Sequence, residues 1–163
     1  MLGTYGECED YLVKVTELME RYGIVLTKPA PGEDLVLVED DQGALSFELI
    51  GHLPDMVTGR RAGVEVREEL APLGDGTYRT SGYEYELIDP VGDYRRAFHL
   101  HDHETFARRF LVVVHEHCER PLGRVDCEHY AGLPFKDSYA GVTKLLDAWT
   151  GGPIDCGTLI CLG

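Results

Sequence analysis

The sequence has one tryptophan and three methionines, and only four of its 15 basic residues are lysines. No apolar run approaches the ~18 residues that a membrane-spanning helix needs. There is no glycine-rich phosphate loop, dinucleotide fingerprint, nucleophile elbow or His-Glu-x-x-His pair, and the string His115-Glu116-His117-Cys118 has the wrong spacing for a zincin. Nucleotide-dependent enzymes and the common hydrolase signatures are therefore not expected. Repeats and low-complexity segments are also missing, which argues against a solenoid or a disordered tail.

What is present suits one globular domain. The chain has 163 residues, and about 150 residues per domain gives a single unit over 1–163. Apolar residues at 44% and charged residues at 27% are an ordinary globular balance. Met1–Gly6 lacks the basic-then-apolar character of a secretory signal, so a soluble, cytoplasmic protein is expected. An arginine-rich, lysine-poor, acidic chain fits a GC-rich or salt-adapted prokaryotic source.

Charge is uneven along the chain. Residues 1–93 carry 7 bases and 20 acids, a net of −13, whereas residues 94–163 carry 8 and 9, a net of −1. Six of the seven histidines and four of the five cysteines lie in the nearly neutral part. The acidic part repels a phosphate backbone, so any nucleic-acid contact belongs to the second part.

Hydrophobic periodicity predicts a helix over Glu7–Tyr22, with Tyr11, Leu12, Val15, Leu18 and Met19 inward and Gly23 as its stop. Residues 28–32 read as a loop. Leu35–Glu39 and Ala44–Ile50 read as strands about the turn Asp40–Gly43. Residues 51–76, punctuated by glycine and proline, read either as a long surface loop or as a loop with a short strand at Val64–Glu69. Next comes a hairpin, Tyr78–Ile88 and Tyr94–His101. With residue 88 opposite 93, one face collects Tyr83, Tyr85, Leu87, Tyr94, Arg96, Phe98 and Leu100. The other collects Glu84, Glu86, Arg95, Ala97, His99 and His101. A helix is expected from the cap Asp102 through Glu119, with a strand over Leu111–His117 as the alternative suggested by Val112–Val114. Ser138–Thr150 reads as the last helix, with Tyr139, Val142, Leu145, Leu146 and Trp149 buried. The expected fold is α+β: a mainly antiparallel sheet around the central hairpin, packed by N-terminal, central and C-terminal helices.

Two constellations have the residue types that chemistry needs. His115, Cys118, Cys127 and His129 form a candidate zinc set, because His115 and Cys118 would share a face on a helix and Cys127 and His129 a side in a following loop. Four protein ligands leave no open position, so the zinc would be structural; His117, Cys156 or Cys161 can replace one member. Without metal, the two cysteines are small buried residues and the histidines hydrogen-bond nearby. A disulfide, Cys118–Cys127 or Cys156–Cys161, is a further reading, though a reducing compartment disfavours it.

The second constellation is catalytic: His99 and His101 as an acid/base pair with Arg95 to hold an anion. Such a set suffices for metal-free RNA cleavage; the same His-x-His can instead hold a metal. The simpler reading is a solvated sheet face with weak cross-strand ion pairs. Arg108 and Arg109 read as solvated helix surface or as a phosphate contact.

The run Tyr83-Glu84-Tyr85-Glu86-Leu87, a turn, then Tyr94-Arg95-Arg96-Ala97-Phe98-His99-Leu100-His101 resembles the TumE-like small bacterial toxins. The resemblance covers residues 83–101 and carries over Tyr85, Arg96, His99 and His101. It implies a small bacterial toxin paired with an antitoxin. Two function classes follow from the sequence: a partner-binding protein with a structural zinc ion or none, its partner another protein, and a toxin-like ribonuclease whose partner is RNA.

Overall fold

The structure is a computed structural model, and it describes residues 2–54, 61–100, 114–124, 129–130, 137–150 and 156. The elements are β1 (Leu2–Thr4), α1 (Tyr5–Arg21), β2 (Val25–Lys28), β3 (Val38–Glu39), β4 (Leu45–Pro54) and β5 (Arg61–Pro72). They continue with β6 (Thr77–Asp89), β7 (Tyr94–Leu100), β8 (Val114–Glu119), β9 (His129–Tyr130) and α2 (Ser138–Thr150). All nine strands join one sheet with the order β2-β4-β5-β6-β7-β8-β9, where β1 pairs with β6 and β3 with β4. Every pairing is antiparallel. The mixed α+β architecture matches the sequence expectation.

α1 starts where Thr4 donates both its N–H (2.7 Å) and its hydroxyl (2.9 Å) to the Glu7 carboxylate. It ends at Gly23, whose φ of +80° suits glycine. The five predicted inward residues are all buried, and Cys8 joins them. α2 packs on β5, β6 and β7 and against α1. It buries Val142, Leu145 and Leu146 as expected, but Tyr139 is exposed and its hydroxyl accepts from Arg21 at 2.9 Å.

Both helices cover one sheet face. That face carries Leu45, Phe47 and Leu49 of β4, Val64 and Val66 of β5, Tyr85 and Leu87 of β6, and Phe98 of β7. The Tyr83 and Tyr85 rings stack at 4.5 Å within it.

Three expectations need correction. Residues 51–76 hold more strand than expected: β4 continues to Pro54, and β5 spans twelve residues in near-perfect alternation and contains the expected Val64–Glu69, while residues 55–60 lie outside the described residues. Gly51 is there for closeness, because a Cβ would come within 2.6 Å of the Ile24 side chain and 2.8 Å of the Val25 carbonyl oxygen, where the chain enters β2. The hairpin register is also shifted. Asp89, not Ile88, closes the hairpin opposite Tyr94, with its carboxylate accepting from the Gly92 N–H at 2.9 Å and Asp93 turning at φ 51°. Each residue of β7 therefore meets a partner two positions from the expected one, and because the side-chain period is two, both faces keep their membership.

The third correction concerns the central helix. Residues 114–119 form strand β8, the β-branched alternative, and the described residues contain two helices rather than three. The remainder of that expected helix, together with Arg108 and Arg109, lies outside the described residues.

Candidate metal site

The sheet face away from the helices is lined by charged and imidazole side chains. Pairing places His99 of β7 opposite His115 of β8 and Ala97 opposite His117. His115 and His117, two apart on a strand, project to the same side as His99. The three rings meet with centroids 5.1, 4.8 and 4.8 Å apart. One ring nitrogen from each lies within 4.8 Å of the others. Ala97, fully buried among them, has a side chain small enough to leave room for the triad. His99 and His115 are themselves buried, at 7% and 4% exposure.

Three neutral imidazoles are borderline donors that suit zinc and neighbouring transition metals. With Zn–N bonds of ~2.0–2.1 Å, tetrahedral ligand nitrogens stand roughly 3.3 Å apart, so closing on an ion asks the rings to move inward by about 1 Å or slightly more. Carboxylates paired with arginines flank the triad. Glu84, opposite His99 on β6, places one carboxylate oxygen 3.2 Å from His99 Nε2 and the other 3.5 Å from Arg67 Nη1. Glu119 lies two residues beyond His117 on the same face.

The site unites members of the two constellations expected separately. His115 is retained from the zinc set, His117 was the named substitute, and His99 comes from the catalytic pair. Cys118 is not a member: on a strand, positions three apart face opposite ways, and Cys118 lies opposite Arg96 on the helix-covered face. There it forms a disulfide with Cys156, a pairing different from both expected ones. His129 sits in β9, paired with Glu116. Cys127, Cys161 and His101 lie outside the described residues. Arg95 shares the triad's face, but its guanidinium is held by Glu86 and by Glu119, the latter at 2.6 Å. Those carboxylates already occupy the charge that the catalytic reading reserved for an anion.

A second polar group, which the sequence reading missed, is buried under the helices. Glu68 of β5 is 1% exposed. It accepts hydrogen bonds from Tyr11 (2.9 Å), Thr80 (2.5 Å), Tyr85 (3.3 Å) and Ser138, the first residue of α2. The Ser138 N–H in turn donates to the Tyr11 hydroxyl. Burial pushes the Glu68 carboxyl above the usual carboxylate range. Burial, followed by the Glu68 charge, pushes Tyr11 and Tyr85 well up. The signal was there in the parity of Val64, Val66, Glu68 and Leu70. One further buried pair, Arg96 and Glu116 at 2.6 Å, ties β7 to β8 on the same face.

Comparison with known protein families, with curated proteins and with solved structures finds no match.

Proposed function

We propose that this chain is a metal-binding protein that holds one divalent transition-metal ion, zinc by preference, between His99, His115 and His117. The observation that carries the reading is the convergence of three imidazoles, two buried and one half-buried, from two adjacent strands within 4.8 Å. A divalent ion would take one nitrogen from each of the three rings at once.

The number of ligands bears on the role. Structural zinc sites are closed by four protein ligands, whereas three leave a position for water or a substrate atom. A metal in this set would act as a Lewis acid and lower the pKa of bound water, the chemistry of metal-assisted hydrolysis.

The test is elemental analysis of the full chain, expressed without a histidine tag in zinc-supplemented medium. About one equivalent of zinc per chain is expected, falling to background in His117→Ala. A wild-type protein without stoichiometric metal, and unable to take it up on titration, would overturn the reading.

A further inference from the structure

The sheet face that carries the histidine triad has one small side chain among long polar ones. On β7 and β8, positions 97, 99, 115 and 117 form a square, because Ala97 stands opposite His117 and His99 opposite His115. Imidazoles take three corners, and the fully buried Ala97 takes the fourth. An ion held by the three rings is therefore walled at three corners, and its open coordination position lies over Ala97.

The next strand supplies what faces that opening. Ala97 pairs with Glu86 of β6. Adjacent strands stand about 4.8 Å apart, so a glutamate rooted there is long enough to extend over the alanine. Glu84 and Glu119 stand at the diagonal positions, and hydrogen-bond partners distinguish the three carboxylates. Glu84 places one oxygen against His99 and the other against Arg67. Glu119 accepts from Arg95 through Oε1 at 2.6 Å and from the Gly123 N–H through Oε2 at 3.0 Å. Glu86 accepts from Arg95 Nε through Oε1, whereas its Oε2 has no partner among the described residues. Glu65, opposite Glu86 on β5, stands one strand further from the triad.

We propose that Ala97 marks the open coordination position and that Glu86 is the catalytic base beside it, taking a proton from metal-bound water during hydrolysis of an uncharged ester. This rests on the three-histidine metal reading. Arg95 is the positioning residue: it clamps Oε1 and leaves Oε2 for the water. Because Arg95 is held by both Glu86 and Glu119, the corner has no spare cation there for an anionic substrate. In the reaction, one O–H bond of the water breaks and its proton passes to Glu86 Oε2. The oxygen's electron pair forms the bond to the carbonyl carbon. The bond to the alcohol oxygen then breaks, and that oxygen takes the proton from Glu86, leaving a carboxylic acid and an alcohol.

The test assays the full chain, zinc-loaded and metal-free, against p-nitrophenyl acetate. The zinc form is expected to be the faster. Glu86→Gln, which keeps an oxygen for Arg95, should lower kcat by ~10²-fold or more while zinc content and melting temperature stay near wild type. Glu86→Ala should regain turnover as formate is added, a response that a merely structural role would not give. Ala97→Cys, one atom larger, should add a sulfur at ~2.3 Å to the metal's nitrogen shell in X-ray absorption. The proposal is overturned, with the metal reading intact, if zinc binds but does not accelerate the ester's cleavage, or if Glu86→Gln keeps wild-type turnover. Failure of formate to rescue, or a folded, zinc-loaded Ala97→Cys without metal-bound sulfur, overturns it likewise. A wild-type chain that takes up no zinc overturns both.

Discussion

His99 on β7 stands directly opposite His115 on β8, their ring centroids 5.1 Å apart, and the strand period brings His117 onto the same side. That relationship makes a three-histidine site out of two segments separated by fifteen residues of sequence. It depends on residues 114–119 being a strand: on a helix, His115 and His117 would point about 200° apart.

Glu84 should act on the metal through His99. Its carboxylate stands 3.2 Å from His99 Nε2 and belongs to the facing strand β6. A carboxylate behind a ligating imidazole fixes its ring and tautomer, and losing it typically costs ~10–100-fold in metal affinity. Glu84→Gln should weaken zinc binding within that range, measured by chelator competition, while thermal stability stays near wild type. Unchanged affinity would remove this role.

Arg96 and Glu116 form an ion pair with side chains only 7% and 4% exposed. Removing one partner from a buried pair leaves an uncompensated charge and costs ~3–5 kcal/mol. Denaturant unfolding of Arg96→Met should show a loss of that size, and the double variant Arg96→Met/Glu116→Leu should recover most of it. A double variant as unstable as the single one would contradict this account.

Much of the fold was legible because strand and helix periods are strong signals where they run unbroken. α1, the hairpin's two faces and the limits of α2 all follow from spacing alone. The stretch from Gly51 to Gly76 is obscured because glycine and proline suggest loops, whereas Gly51 is required by the close approach of Ile24 and Val25. The site was only half legible. Sequence alone marks His99, His115 and His117 one by one, but a helical reading of 114–119 pairs His115 with Cys118 and splits the triad. Which strands become neighbours is a tertiary choice, and short-range periodicity does not encode it.

Glu68 should give stability an unusual pH dependence. Burial raises its folded-state pKa, so the folded protein retains a proton that the unfolded chain releases near pH ~4.3. Its stabilising contribution is therefore complete below that value and is lost as pH rises through the folded pKa. Glu48 and Asp75, held below the ordinary range by their partners, act in the opposite sense. Comparing wild type with Glu68→Gln isolates the first effect: the difference should shift against the wild type as pH rises above about 4.3. A pH-independent difference would contradict the assignment.

The disulfide Cys118–Cys156 closes a 38-residue separation. Loop-closure entropy then gives roughly 4 kcal/mol of stabilisation. Reduction, or Cys156→Ser, should lower unfolding stability by an amount of that order. Since the sulfurs lie on the face opposite the triad, zinc affinity should not change with reduction, and a change would show that the two faces communicate.

The central claim is tested most directly by X-ray absorption at the zinc edge on the metal-loaded full chain. The account predicts a shell of imidazole nitrogens at ~2.0–2.1 Å fitted by three histidines plus one light-atom ligand. A sulfur shell at ~2.3 Å, or loss of no histidine scattering in His117→Ala, would contradict the three-histidine site.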